Sequence, residues 1–336
     1  MESNINTVFE ISKPTNRSTS KKITTSFVIL CSLLFFVLLL LLVLLSNHSN
    51  SHVLPIDSPQ CLSITSKNST PNDLILLAVA DEGRVDLTSC IVPISLMRKY
   101  TQATIVLFVE HKLYRMHNDF FFSVKRKFNV TIKSFEKPNV FIANYRIKLY
   151  YEYLKDHKFD RVIHCDISDV YFQTDIFKYI PQNNKIIIFK EGCEGNILMD
   201  DQKNLNWYRE CYPDLKGLDK TKVIVNAGII SGGYDVMLKY TKLVWKLMEE
   251  NTVCDISKFG PDQAVVEYAY HNGMLDSLIG RVENGPVYCN YARGDGEFVY
   301  YKNGCLYPFI HGRPPYYPEE YVKKGLSEYP DLVDLA

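Results

Sequence analysis

Charge of one sign is missing from this sequence: 38 Lys and Arg stand against 38 Asp and Glu, a formal net charge of +0. That balance excludes the basic surface on which nucleic-acid binders rely and leaves a small anion or a polar polymer as the partner. Closely spaced cysteines are missing too. None of the nine has a near neighbour at the spacing of a zinc site, which argues against metal binding through sulfur. No internal repeat and no second domain boundary is visible. The 336 residues, 46% of them hydrophobic, are enough for a large buried core. Tyrosine is plentiful, and 23 rings that pair an apolar face with a hydroxyl suit a sugar site.

Between Lys22 and Lys67 there is no Lys or Arg. Within that gap, residues 27–45 (FVILCSLLFFVLLLLLVLL) carry neither charge nor proline. At about 1.5 Å per residue the run nearly spans a hydrocarbon core of roughly 30 Å. Lys13, Arg17, Lys21 and Lys22 precede it, so the positive-inside rule keeps the amino terminus in the cytosol and sends the remainder across. A cleaved signal peptide would have an apolar core of about 7–15 residues and a small-residue cleavage site, and LLSNHSN is a poor one. The expected layout is a cytoplasmic tail (1–26), a signal-anchor helix (27–45), a Ser/Asn/Thr/Pro-rich stem (46–72) and one luminal domain (73–336). Asn68-Ser-Thr and Asn129-Val-Thr fit as luminal glycosylation acceptors. Setting aside Cys31 in the anchor, an even number of cysteines faces the oxidising side, which permits disulfides. Cys193 with Cys211 and Cys289 with Cys305 are two of many possible pairings, and Cys165 reads as a core thiol.

In the luminal part, residues 74–80 (LILLAVA) form the continuous apolar run of a strand buried on both faces. Residues 91–100 read as a helix, and 104–110 and 130–135 as strands. Residues 142–157 carry Tyr145, Leu149 and Tyr153 at fourfold spacing, an amphipathic helix. It leads into a strand that stops at Asp166. Further strands are expected at 186–190 and 223–230, and helices at 234–250 and 262–271, the last ended by Asn272-Gly273. Strands alternating with helices imply an α/β fold with a mostly parallel central sheet flanked by helices.

Residues 161–177, RVIHCDISDVYFQTDIF, are the most informative stretch. A short apolar run stops at Asp166, and Asp169 follows three residues later. A buried strand ending in acids presents them at the carboxyl edge of a sheet, where open α/β folds place ligands. Two clustered carboxylates suit a hard divalent cation such as Mn2+ or Mg2+, and such a cation suits a diphosphate. Residues three apart on a strand face opposite ways, so both acids reach one ion only if the chain turns at Ile167–Ser168. Without that turn Asp166 is a solvated strand end and Asp169 bonds local amides. Asp175 fits as the cap of a short helix at Ile176.

At these residues the chain resembles the GT-A-type glycosyltransferases, which have a short tail, a single anchor, a stem and a luminal domain in the Golgi style. The acidic stretch is similar to their metal-binding Asp-x-Asp at the end of a central strand, with one departure: Ser168 stands where the second acid is expected. Val225-Asn226-Ala227-Gly228, read as ending a strand, resembles the family's Asn-x-Gly segment beside the donor sugar. The glycines of Ile229-Ile230-Ser231-Gly232-Gly233 permit close backbone approach to a ligand, or form a plain turn. Gly260-Pro261-Asp262-Gln263 resembles the Asp-Gln that opens a helix near the acceptor in glycogenin-like enzymes, and Asp262 reads equally as an ordinary first-turn acid. His311, in Phe309-Ile310-His311-Gly312-Arg313, resembles the late metal-ligating His of the family.

The resemblance implies metal-dependent transfer of a sugar from a nucleoside-diphosphate sugar to a luminal glycan, protein or lipid acceptor, in the Golgi or endoplasmic reticulum membrane. It implies Asp166, Asp169 and His311 as metal ligands. Ala80 and Asp81 would lie by the base and ribose, Arg146 by the diphosphate, and Asn226, Gly228 and Asp262 by the sugars. Glycogenin-like features suggest retention at the anomeric carbon. Inversion needs a carboxylate base, for which Glu191, Glu194 and Asp262 are candidates. In the helix before the motif, Arg146 and Lys148 could reach the diphosphate or stand at solvated helix positions, and Arg313 could counter phosphate charge or sit in a surface salt bridge. Trp207, Tyr208, Tyr316 and Tyr317 could stack on sugar rings or pack in the core. A luminal carbohydrate- or nucleotide-sugar-binding protein that keeps the fold without catalysis is the alternative, favoured by Ser168. A haloacid-dehalogenase phosphatase needs an acid at that same position. A sulfotransferase needs a phosphate-binding loop where Asp81-Glu82-Gly83-Arg84 stands.

Overall fold

The run Leu74–Val79 is buried along its whole length, as a strand covered on both faces must be. In the computed structural model it is the first strand, β1, of a nine-stranded, mostly parallel sheet flanked by helices. The structure describes residues 68–83, 86–180, 185–192, 195–215, 218–287, 293–294, 298–300, 305–312 and 319–336. The expected tail, anchor and most of the stem lie outside these residues, as do Glu194, Arg313, Tyr316, Tyr317, Cys193 and Cys289. Among the described residues, no helix is long and apolar enough to cross a membrane.

After β1 come α1 (Thr88–Tyr100), β2 (Thr104–Glu110), α2 (His111–Met116), α3 (Asn118–Phe128), β3 (Val130–Phe135), α4 (Ile142–Asp156), β4 (Arg161–Cys165) and β5 (Val170–Phe172). The chain continues through β6 (Ile186–Glu191), α5 (Gln202–Cys211), β7 (Val225–Gly233), α6 (Tyr234–Glu250) and α7 (Pro261–His271). It then forms β8 (Ile279–Val287), β9 (Arg293–Gly294), β10 (Val299–Tyr300), β11 (Phe309–His311), α8 (Glu319–Ser327) and α9 (Pro330–Val333). The large sheet has the order β3-β2-β1-β4-β7-β6-β8-β11-β5, and β9 pairs with β10 separately.

Periodicity explains the helices that cover the sheet. α6 buries Val236, Met237, Tyr240, Val244 and Met248 at three- and four-residue spacing. α4 buries Ala143, Ile147, Tyr150 and Leu154, while Tyr145, Leu149 and Tyr153, the expected stripe, are only partly buried beside it. These two helices share one face of the sheet with Leu74, Leu76, Val162 and Ile230. The other face holds Ile75, Leu77, Ile163 and Cys165 against α1 and α3. Cys165 is a buried thiol, as its strand position implied. Asp73 accepts from Arg161 Nε at 2.7 Å and Nη2 at 2.7 Å, a bidentate pair that satisfies both buried groups at the start of β4.

One feature of the topology shapes the site. β4 and β5 are separated by the few residues 166–169, yet they stand fourth and ninth in the sheet. Five strand spacings at about 4.8 Å make roughly 24 Å, whereas the five steps from Cys165 to Val170 reach at most about 18 Å. The sheet therefore curls, carrying β11 and β5 back towards the end of β4. Tyr171, Phe172 and Phe309 accordingly share a core with Ile75 and Ile163.

Candidate metal centre and adjoining cleft

β4 stops at Cys165, and residues 167–169 form the turn that two converging acids require. The backbone of this turn is held from both sides. Asp166 N donates to Gly228 O at 2.8 Å, and Gly312 N donates to Asp169 O at 2.9 Å. β11 runs antiparallel to β5 with His311 opposite Val170, so the curl of the sheet delivers the imidazole to the acids. His311 Nε2 lies 3.1 Å from Asp166 Oδ2 and 3.6 Å from Asp169 Oδ1. One ligand atom from each residue falls within 4.8 Å of the others.

These three side chains can hold a metal ion. Two carboxylate oxygens and one imidazole nitrogen are donors that a hard or borderline divalent cation accepts. Gly228 supplies a further indication of fit. A Cβ at this position would run into His311 Cε1 and Asp166 Oδ2, so the strand can pass beneath the cluster only without a side chain. Burial works against charge on His311, but Asp169 and Asp166 outweigh it and raise the imidazole pKa above its ordinary value. The two acids thus favour positive charge at this position.

Arg146 completes the balance. It was expected at a solvated helix position or beside a diphosphate, and it is buried on the inner face of α4. Its Nη1 pairs with Asp166 Oδ1, and its Nη2 with Asp262 Oδ2 at 3.1 Å. Burial opposes the Arg146 charge, yet the two acids together hold it more firmly than an ordinary guanidinium. Burial likewise tends to raise the Asp166 pKa, and Arg146 and His311 overcome that and hold it well below the usual carboxylate range. Asp262 keeps a raised pKa because burial exceeds the help it receives from Arg146. Asp262 is therefore a first-turn acid of α7 that also enters the site.

β7 runs antiparallel to β4, which corrects the expectation for residues 225–233. Val225, Asn226, Ala227 and Gly228 begin this strand rather than end it, and for that reason they lie at the carboxyl edge beside Asp166. Gly232 and Gly233 pair with Val162 and Arg161, at the far end of the strand. Neither glycine approaches the acids or makes a turn. A Cβ on Gly232 would meet Lys185 O at 2.9 Å, so its smallness serves sheet packing.

A hydrogen-bonded clamp fixes the first residues of β7. Gln263 Oε1 accepts from Ala227 N at 2.9 Å, and Gln263 Nε2 donates to Val225 O at 2.7 Å. Glu267 Oε1 accepts from Val225 N at 2.8 Å and from Gln263 Nε2 at 3.0 Å, while Oε2 faces His271 Nε2 at 3.1 Å. Burial lifts the Glu267 pKa well above the ordinary value and lowers that of His271. A neutral carboxylic acid donating to a neutral imidazole fits both shifts. This clamp was missed in the sequence, where only its first member stood near a recognised motif. The spacing Gln263, Glu267, His271 places all three on one face of a helix, and that was the available signal.

A cleft of about 50 Å³ adjoins the cluster, lined by Arg146, Asp166, Glu191, Lys203, Asn226, Gly228, Asp262 and Gln263, with Ala143, Trp207, Phe259 and Gly260. Asn226 Oδ1 accepts from Gly228 N at 2.7 Å. Glu191, at the end of β6, has its pKa raised by burial. A larger cavity of about 380 Å³, with Lys178, Lys185 and Arg281 in its wall, lies at the amino ends of β6 and β8, the opposite edge of the sheet.

Other expected residues fall elsewhere. Ala80 and Asp81 lie just past β1 at the same carboxyl edge but do not line the cleft. Asp81 accepts from Gly83 N at 2.8 Å and pairs with Lys112 at 3.3 Å, which together lower its pKa. Lys148 lies over the rings of Trp245 and Tyr145, away from the acids. Tyr208 is wholly buried and packs with Leu198 and Ile224, so it offers no stacking face, whereas Trp207 reaches the cleft. Asp175 caps the short turn at Ile176, accepting from Phe177 N at 3.0 Å. Cys211 bonds to Cys254, which replaces the considered Cys193–Cys211 pairing, and Cys305 is also disulfide-bonded.

Comparison with known proteins gives no matching family model and no matching curated protein.

Proposed function

We propose that this protein is a metal-dependent glycosyltransferase of the GT-A type. It transfers a sugar from a nucleoside-diphosphate sugar to a luminal glycan, protein or lipid acceptor. One observation carries the reading. Asp166, Asp169 and His311 come together at the carboxyl edge of an α/β sheet, 3.1 and 3.6 Å apart at the imidazole, beside a cleft lined by further acids and cations. Carboxylates and an imidazole at that edge suit a Mn2+ or Mg2+ ion that meets a diphosphate. When bound, such an ion would offset the negative charge that gathers on the departing diphosphate.

The chain's own residues supply the rest. Arg146, held between Asp166 and Asp262, carries a positive charge to the floor of the cleft and can bond a phosphate oxygen. Asn226 is kept in place by the clamp on Val225 and Ala227, and it presents an amide to a sugar hydroxyl. Asp262 and Glu191 are the carboxylates within reach of an acceptor hydroxyl. Burial holds both pKa values up, which favours proton acceptance over a permanent charge. Ala80 and Asp81, at the end of β1, are assigned to the nucleoside. The apolar run at 27–45 makes the protein a single-pass membrane protein with this domain in the lumen of the Golgi or endoplasmic reticulum.

The test is Asp166→Asn in the full chain, assayed with Mn2+ against a panel of nucleotide sugars. Wild type is expected to turn over one of them with Mn2+ and not in EDTA. The variant is expected to fold, with an unchanged far-ultraviolet spectrum, and to lose turnover by at least about 100-fold. Full activity in the variant would remove the metal assignment. Binding of a nucleotide sugar without turnover in wild type would favour the non-catalytic alternative.

A further inference from the structure

Phe259 is 54% exposed, an unusual position for a ring of that size next to a polar cleft. Its surroundings are rigid. Asn144, wholly buried, donates through Nδ2 to Ile256 O and Lys258 O at 2.8 Å each, and its Oδ1 accepts from Asp262 N at 2.8 Å. The backbone is therefore pinned on both sides of Phe259. Gly260 follows with φ of +116°, and a Cβ there would enter the indole of Trp207. The Phe259 ring rests edge-on against Trp207 at 5.2 Å and against Phe141 at 5.4 Å between centroids. Cys211, one helical turn beyond Trp207, is bonded to Cys254, which begins the segment leading to Phe259. A covalent tie thus joins the two halves of the ridge.

A large apolar ring held open to solvent by a buried amide, a positive-φ glycine and a disulfide is preorganised for a ligand. The cleft beside it defines which ligand. Its polar groups are of both signs, with Lys203 and Arg146 near Glu191 and Asp262, and they offer donors and acceptors to a hydroxyl-bearing edge. A pyranose has this division, with polar hydroxyls on its rim and C–H groups on its face. A nucleobase or an acyl chain has no such rim of hydroxyls.

We infer that Phe259, supported by Trp207 and Phe141, is the platform for the acceptor, and that the acceptor is a glycan whose terminal pyranose stacks on this ring with its reacting edge in the cleft. The inference rests on the proposed transferase reading and selects a glycan from the acceptor classes that reading allows. It also separates the two substrates in space, with the donor diphosphate at Asp166, Asp169 and His311 and the acceptor ring on the α5–α7 side.

The experiment uses the full chain in detergent and follows tryptophan emission, because Trp207 touches Phe259 and Trp245 is buried in the core. The probes are N-acetyllactosamine, lactose and mannopentaose, titrated without donor. At least one is expected to change the emission saturably. Phe259→Ala is expected to weaken that binding by about tenfold, and Phe259→Tyr to restore it, since the tyrosine keeps the ring face. Equal thermal midpoints for the three proteins establish that folding is not the cause. The platform is overturned if no probe binds wild type, or if Phe259→Ala binds as well as wild type. Manganese-dependent turnover of a nucleotide sugar by wild type reports on the transferase reading by itself. Turnover with binding that ignores Phe259 would remove the platform alone, and Phe259-dependent glycan binding without any turnover would remove the transferase alone.

Discussion

Asp166 and His311 stand 145 residues apart in the chain and 3.1 Å apart in the fold. Their meeting depends on Gly228, which lies beneath both, and on the antiparallel pairing of β11 with β5. The cluster is therefore sensitive to backbone volume as much as to the identity of its ligands.

Gly228→Ala tests that sensitivity. The added methyl has no room beside His311 and Asp166, and overpacking of this kind typically costs about 1–3 kcal/mol. We expect a lower thermal midpoint and Mn2+ affinity reduced by at least about tenfold, measured by calorimetric titration. Wild-type affinity in the alanine variant would show that the cluster does not receive the ion.

Mn2+ should stabilise the wild-type protein by mass action. At a free concentration about 100 times Kd the gain is about 2.7 kcal/mol, visible as a rise in the unfolding midpoint that EDTA reverses. His311→Ala removes the imidazole and is expected to abolish the rise. A midpoint in the variant that still climbs with Mn2+ would place the ion elsewhere.

Arg146→Gln should have two opposite effects. Without the guanidinium, Asp166 and Asp262 lose their buried counter-charge, and breaking one side of such a pair typically costs about 3–5 kcal/mol. The same loss removes a positive charge next to the cluster, so Mn2+ affinity should rise. Denaturant unfolding without metal and titration with metal measure the two separately.

Glu267 gives a signature in pH. Its folded-state pKa is raised, so folding takes up a proton wherever the unfolded carboxyl, ordinary value 4.5, is ionised. The contribution is full below that pH and falls as pH rises towards the folded-state value. His271 acts the other way. Its pKa is lowered from 6.5, so its contribution is present above that value and is lost as pH falls. Above pH 6.5 the His271 contribution no longer changes, and stability should decline with rising pH through Glu267 and through His311, whose pKa is also raised, by up to about 1.4 kcal/mol per unit for each group. Glu267→Gln keeps an acceptor for Val225 N and should remove the Glu267 share of that slope, as urea midpoints from pH 6.5 to 8.5 compared with wild type would show.

Much of this architecture is legible in the sequence because it follows from periodicity. The buried strands at Leu74–Val79 and Thr104–Glu110 are uninterrupted apolar runs, and α6 has a strong helical stripe. The turn at Ile167–Ser168 could be required from chemistry, since two acids three residues apart cannot otherwise share an ion. Strand direction could not be read. Nothing local in Val225–Gly233 says that it runs against β4, and so Asn226 was taken to end a strand it begins. The inward turn of Arg146 is hidden for a related reason. An arginine on a helix looks solvated until a tertiary neighbour, here the pair Asp166 and Asp262, offers it a buried partner. The Glu267 clamp and the disulfide of Cys211 with Cys254 likewise depend on where α7 and the end of α5 settle, which no spacing rule encodes.

The curl of the sheet has a consequence for biosynthesis. The acids are fixed by a link of four residues, whereas the imidazole arrives on β11, Phe309–His311, 145 residues after Asp166. A nascent polypeptide that has made the acids but not yet β11 holds both carboxylates with an unfinished coordination shell, so full competence for metal waits until β11 has been added.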